Sequence, residues 1–388
     1  MKQFLVTAFW LASMAIVTPA NARPPVEFSF RQGYSSNLFQ DPNRLSGAFS
    51  EATLSLRGSL DLDGSALSYE LSQTERVVKT YIFGNSHETA LKLGYQRQLL
   101  ESVALKLEAA VTRSATGDVF LVLPQQVIGY RETDYGVQGG GEMRAAMLGG
   151  TTSVSGKYGR VYKGRAHFNI DLLLPSRLEA DVGQMVLAAN HVRPLFGGEA
   201  GAYAEYAQTF VPQDEQQRFI RYPARSLRGS LAFGRSIGSS FTFLADAGAQ
   251  ALFSDRLGTG KVPVEPYLRV QAEWKSDKGL TLAAGYRQNV VIDDLDDAVA
   301  EWVRTHSVAV SAPLTETVKA TVGYELAKND YYYYLYDTRT QRWTGKLAFT
   351  PAKGPGFALE YAHIRRDEAD RSLNFQGHEV ALRFFGQF

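Results

Sequence analysis

Strict apolar–polar alternation, short turns recurring about every 41 residues and long polar connections between them predict one fold class. It is all-β: a transmembrane antiparallel up-and-down β-barrel of about 18 strands, with about 16 to 20 as the range. The turns lie at Asp61–Gly64, Gln98–Glu101, Leu148–Thr151, Pro194–Gly198, Ser236–Ser239, Ser276–Gly279, Ala312–Thr315 and Pro351–Gly356. They are built mostly from Gly, Pro, Asp and Ser, residues suited to turn geometry. Eight such turns separate nine hairpins.

The elements follow in chain order. Lys2, the apolar stretch Phe4–Val17 and the small-residue site ending at Ala22 read as a cleaved secretory signal over residues 1–22. The remainder, residues 23–388, reads as a single barrel domain with short periplasmic turns and long extracellular loops. The first strand begins almost at once, in "VEFSFRQGYSSNLF" (Val26–Phe39), so no plug domain is expected ahead of it and any narrowing falls to the loops. Further on, "ALKLGYQRQ" (Ala90–Gln98), "YLRVQAEW" (Tyr267–Trp274) and "TVKATVGYEL" (Thr317–Leu326) each set one apolar face against one polar face.

Between such strands lie irregular, charged and aromatic segments: 116–134, 162–177, 210–223, 292–301 and 330–341. These are the expected outer loops. Within them, Arg165–Leu174 could form a strand of its own, which would raise the count to 20. The last strand, "GHEVALRFFGQF" (Gly377–Phe388), turns Val380, Leu382, Phe384 and Phe388 to one side. Glu379, Ala381, Arg383 and Gln387 turn to the other.

Composition narrows the function classes. Of 41 basic side chains, removal of Lys2 leaves 40 against 40 acidic, and a neutral chain argues against nucleic acid as a partner. No cysteine is present, so neither a disulfide framework nor a thiolate zinc site holds the protein together. No apolar run reaches about 18 residues after the signal, which leaves strands as the only means of crossing a bilayer. A propeller would share the period of about 40 residues, but its repeated blade motif is missing. A soluble sandwich would fit the alternation and has to be separated from a barrel by other features.

One such feature is the terminal aromatic. Bacterial outer-membrane barrels commonly end on a strand closed by an aromatic residue that the assembly machinery recognises, and this chain resembles them at Val380, Leu382, Phe384 and Phe388. It departs from the pattern at Gly386. A second resemblance sits near the start. "GYSSNLFQDPN" (Gly33–Asn43), followed by "SEATLSLRGSL", is similar to the opening of β-barrel porin families that include barrels encoded with exopolysaccharide systems. Ser35 stands where those families carry Asp. The resemblance implies an outer-membrane channel, with saccharide among the solutes it would pass. Its implied surroundings are outer-membrane lipid, lipopolysaccharide and the barrel-assembly machinery.

About 18 strands enclose more space than side chains can fill. The polar faces assign Lys92, Lys106, Glu108, Arg269, Glu273, Lys319, Glu325, Glu379 and Arg383 to the lumen. Both signs are present, which fits an uncommitted polar channel or internal bracing rather than selection of one ion sign.

Three features have a bland reading beside a sharp one. The run "DYYYYLYD" (Asp330–Asp337) reads as interfacial girdle, with glycan stacking as the sharper alternative. "IDDLDD" (Ile292–Asp297) reads as a solvated acidic loop rather than a calcium site, because the spacing and glycine of a calcium loop are missing. His87, His167, His191, His306, His363 and His378 sit in no recognisable catalytic motif, His306 beside Ser307 being the nearest approach to one. No catalytic, metal or cofactor residues are assigned and no cofactor is expected; a channel is the leading expectation, a structural or assembly barrel the alternative, and a hydrolase at the outer rim ranks behind both.

Overall fold

The computed structural model describes residues 25–123, 126–257, 262–292 and 296–387. The predicted signal segment and Phe388 lie outside the described residues.

The first half of the wall is β1 (Val26–Ser35), β2 (Gly47–Asp61), β3 (Ser65–Val78), β4 (Ser86–Leu100), β5 (Val103–Leu123), β6 (Gln126–Met147), β7 (Gly150–Tyr162), β9 (Val182–Leu195) and β10 (Gly198–Phe210). A two-residue strand, β8 (His167–Phe168), lies between β7 and β9 in sequence. The second half is β11 (Arg225–Ile237), β12 (Phe241–Phe253), β13 (Val264–Lys275), β14 (Thr281–Val291), β15 (Glu301–Pro313), β16 (Val318–Tyr331), β17 (Asp337–Phe349), β18 (Gly356–Glu368) and β19 (Phe375–Gln387). One short helix, α1 (Gln213–Arg218), interrupts the connection from β10 to β11.

Every neighbour pairing is antiparallel, and β1 pairs with both β2 and β19, so the sheet closes on itself. β8 touches only Tyr130 and Arg131 of β6, while β7 pairs directly with β9. The wall therefore has 18 strands, and closure leaves it no free edge.

All eight expected turns are present, although β4 runs on to Leu100 and places its turn at Glu101–Ser102. Two are two-residue hairpin loops, Leu148–Gly149 and Phe196–Gly197, in which both residues take positive φ (54° and 71°, 50° and 70°). That geometry matches the right-handed twist of the flanking strands, and glycine supplies half of it without strain.

Two expectations about the loops change. Residues 116–134 do not form an irregular loop: they continue β5 and β6 as a long hairpin, with Thr116–Leu121 paired to Glu132–Val127 beyond the reach of β4 and β7. Charge and glycine disguised the alternation there, and each strand finds its partner in the other. Arg165–Leu174 contributes only β8 to the sheet, and Leu172 and Leu174 are left almost fully exposed.

Register carries one parity around the whole wall. Leu91, Leu93, Val111, Val154, Leu231, Val270, Val310, Val322, Leu359, Val380 and Leu382 share the outward face and are exposed. On β16 that band runs from Val318 to Leu326, about 26 Å of strand before tilt. At the short-turn end outward aromatics meet across strands, with Phe233 and Phe243 centroids 5.8 Å apart and Phe349 and Phe357 5.0 Å apart. An apolar band with aromatics at its edge is what lipid requires of a barrel.

Candidate functional site

The inner face is the complementary parity, and it is mostly polar, with Val186, Ala188 and Val192 on β9 and Leu244 and Leu252 on β12 among its apolar members. Lys92, Lys106, Glu108, Arg269, Glu273, Lys319, Glu325, Glu379 and Arg383 all lie on it. The pairings that fix this run from Lys106 opposite Glu142, through Arg269 opposite Asp246 and Glu325 opposite Arg342, to Arg383 opposite Arg31. Glu273 and Glu325 border a cavity of about 560 Å³ along the inner wall, together with Gln271 and Arg342.

The structure does not gather these residues into one site. Lys92 lies 3.8 Å from Glu70, Lys106 pairs with Glu108, and Glu273 holds Lys275 at 2.7 Å. Arg269 donates to Gln271 at 2.9 Å. Lys319 and Glu325 form no ion pair among the described residues.

The tightest inner cluster surrounds Glu360, which sequence reasoning missed. Its carboxylate accepts from Arg31 (3.0 Å) and Arg383 (3.2 Å), with Lys346 at 3.6 Å. Arg31 also bonds Glu379. One carboxylate on β18 thus ties β17, β19 and β1 together across the strand pair that closes the barrel. The same period-two reading that gave Arg383 would have found Glu360, had "GFALEYA" been read as a strand.

Above the cluster, the β1–β2 loop folds inward. Ser35 Oγ accepts the Asn37 backbone N–H at 3.1 Å, a turn-forming role that the Asp of the similar families could also fill. Asn37 is buried and donates to the carbonyls of Asp41 (2.7 Å) and Gln376 (3.4 Å). Leu38 packs against Phe49, Val78 and Ala381. Phe49 lies between the guanidinium groups of Arg31 and Arg76, at 5.1 and 4.6 Å from its ring centre. Gly33 has no room for a side chain: a Cβ there would meet the Phe49 ring at 2.8 Å.

On the β9–β16 side, three loops close over the lumen around Asp297, which is 2% exposed. Its carboxylate accepts four backbone N–H groups: Val299 (3.3 Å) and Ala300 (3.1 Å) in its own loop, Tyr333 (3.0 Å) and Tyr334 (3.1 Å) in the next. From the β10–β11 loop, Arg221 donates to the Asp297 carbonyl at 3.0 Å and Tyr222 N–H to Ala298 O at 2.9 Å. The underside is apolar, with Ala298, Val299 and Ile292 buried against Ala224, Leu252 and Val290.

These contacts revise two readings. The aromatic run is not a girdle: Tyr331 is buried with its hydroxyl on Asp296 (3.2 Å), Tyr332 donates to Glu265 (3.0 Å), and Tyr333 stacks on Tyr222 at 5.5 Å. Nor is the acidic run simply solvated, since Asp297 is buried and Asp296 accepts from Arg366 at 2.6 Å. Asp293 and Asp294 lie outside the described residues. Among the described residues no group of three or more His, Asp or Glu gathers as a metal site would need.

Across the mouth, Arg177 joins Glu215 of α1 and Asp181, each at 2.6 Å. Lys163 bridges Asp134 (2.9 Å) and Glu179 (2.7 Å). Burial pushes the Glu215 carboxyl up, but Arg177 and the Asp181 N–H outweigh it and hold the group below its usual range. Glu132, on the hairpin above the lipid band, is the opposite case. Burial, then the neighbouring Asp134, push it up to about 7 against the pull of Lys163 and Arg177. Between these loops and the wall is a cavity of about 790 Å³ bordered by Gln138, Arg160, Lys163, Gln184, Phe219 and Tyr334.

The histidines are dispersed around the wall, His191 meeting the Thr152 hydroxyl at 2.9 Å. His306 is outward, beside Tyr286 at 4.7 Å, whereas Ser307 is inward, so the sequence neighbours face opposite sides of the wall. His363 and His378 stack at 4.3 Å on the outer face.

No protein-family model matches the chain, and no curated protein matches it in sequence. Solved barrels do match in structure. The siderophore receptor PirA from Pseudomonas aeruginosa is similar over 95% of this chain and 81% of its own, with a TM-score of 0.51 at 10% identity. The copper transporter OprC is similar over 94% and 80%, with 0.52 at 11%. PirA from Acinetobacter baumannii gives 95% and 81%, with 0.52 at 6%. At such identities the likeness is one of fold. The protein is a bacterial outer-membrane β-barrel. Lipid meets its outward band, and the polar inner face encloses the space beneath the loops.

Proposed function

We propose that this outer-membrane barrel is a channel for polar solutes, with a mouth narrowed by its own inward-folded loops. The observation that carries the reading is the predominantly polar inner face of a closed 18-strand wall, at a width that side chains cannot fill. Lys92, Lys106, Glu108, Arg269, Glu273, Lys319, Glu325 and Arg383 would line the path. Charges of both signs, many of them paired, select neither cations nor anions and leave a path open to polar solutes, uncharged ones included. Saccharide fits that description, and the cavity at the mouth adds amides (Gln138, Gln184) and aromatic faces (Phe219, Tyr334) of the kind that bind sugars.

The test is swelling of liposomes that contain the refolded protein, in isotonic sugars of increasing size. Swelling in mono- and disaccharides, slowing with solute size and little altered when a neutral sugar is replaced by an equal-sized charged one, is expected. No swelling with any solute, from a barrel shown to be folded, would contradict the proposal.

A further inference from the structure

The cavity at the mouth has two levels. Its wall is formed by inward rows of β6, β7 and β9. The lower row is Gln138, Gly159 and Gln184, each directly opposite the next, and the row above it is Gly136, Val161 and Val182. All six border the cavity of about 790 Å³.

The lower level is polar and open. Neither Gln138 nor Gln184 makes a side-chain hydrogen bond among the described residues, so both amides meet the cavity unpaired. Gly159 leaves bare wall between them. A Cβ there would meet nothing nearer than 3.5 Å, and its φ is not left-handed, so neither packing nor backbone conformation requires the glycine.

The upper level is apolar. Val161 and Val182 on the wall are joined by Leu178 and Ile220 from the loops. Ile220 stands there against backbone preference. It follows α1 with a φ of 49°, where a β-branched residue is an outlier and Gly or Asn is usual. Its neighbours hold it in place. The Phe219 ring centre lies 5.5 Å from the Arg177 guanidinium and 5.0 Å from that of Arg218. Arg221 donates its N–H to Gln216 O at 3.1 Å and its guanidinium to the Asp297 carbonyl at 3.0 Å. Strain that the surroundings enforce at a cavity edge points to a contact that matters there.

The charges around the cavity are already engaged. Lys163 bridges Asp134 and Glu179, Arg160 lies 4.8 Å over the Tyr162 ring, and Asp296 accepts from Arg366. The Asp297 carboxylate is filled by its four amides. That arrangement suits a neutral ligand.

We propose that this cavity binds an uncharged saccharide bearing an apolar substituent, an acyl or aryl group. The sugar ring would lie over Gly159 with its hydroxyls on Gln138 and Gln184. The substituent would lie against Val161, Val182, Leu178 and Ile220, and Ile220 sets the preference for it. The inference rests on the saccharide reading of the channel and names the saccharides that the mouth retains.

The test is isothermal titration calorimetry of the full refolded barrel in amine-oxide detergent, with the heat of protein-free micelles subtracted. Phenyl β-glucoside is compared with methyl β-glucoside. Wild type should bind the phenyl glucoside at least about 10-fold more tightly. Ile220→Asn should narrow that preference by at least about 3-fold. Asn accepts the left-handed conformation, so trypsin should cut after Arg218 and Arg221 no faster in this variant than in wild type. Leu148→Gly, which relieves a similar φ of 54° at a short turn, should keep the wild-type preference. Equal binding of the two glucosides by wild type would overturn the proposal, as would an unchanged preference in Ile220→Asn. Faster cleavage of Ile220→Asn would overturn it too, by making Ile220 a structural residue. Calorimetry needs no conduction: binding without liposome swelling would sink the channel alone, and swelling without a phenyl preference would sink this site alone.

Discussion

The Asp297 carboxylate fixes the mouth by accepting from backbone groups. Four N–H groups converge on one buried carboxylate, and two of them come from a loop more than 30 residues away in sequence. Asp297→Ala should leave those donors unsatisfied at a local cost of about 1–3 kcal/mol. Limited proteolysis should then cut within 296–300 or 332–336 while the wall stays intact. Glu132 predicts a pH effect. Its folded value of about 7 exceeds that of a free carboxyl, so its contribution to stability is full at low pH and is lost as pH rises through about 7. Protease protection of the β5–β6 hairpin tip should be greater at pH 5 than at pH 8, and Glu132→Gln should flatten that difference. Neither role could be read from sequence. "IDDLDD" presents itself as an acidic run, and nothing local says that Asp297 faces the amides of Tyr333 and Tyr334.

Among the elements, β16 gives the cleanest contrast between faces. Val322→Arg places a cation in the lipid band and should cost about 2–4 kcal/mol, whereas Lys319→Arg, on the inner face, should be tolerated. Urea titration of the refolded variants measures both, and a weaker Lys319→Arg would reverse the face assignment. At the closing seam, Glu360→Gln removes the negative charge that Arg31 and Arg383 share and should cost about 1.5–3 kcal/mol by the same titration. Strand faces and short turns were readable because both depend on local period and turn chemistry. Residues 116–134 were not, since Gly117, Asp118 and Arg131 look like loop residues until the hairpin pairs them. The tyrosine run was misplaced for a related reason: period and composition put it at a strand end but do not say whether a loop leans out or in. We propose that Val380, Leu382 and Phe384, which share the outward face of β19, are recognised by the assembly machinery. Phe384→Ser should then slow assisted insertion into the membrane more than it lowers the stability of the refolded barrel.

For the whole molecule, the 18-strand wall determines the width and the loops determine what is left of it at the mouth. The inner charges lie at different heights and mostly in pairs, as expected of a lining that is braced and wet rather than tuned to one ion. Single-channel conductance of the refolded protein in a planar bilayer, wild type beside Asp297→Ala, tests the channel most directly. The structure predicts small openings with weak preference between cations and anions in wild type, and clearly larger ones once the loops are released. Electrical silence from both proteins, with folding verified, would contradict the channel.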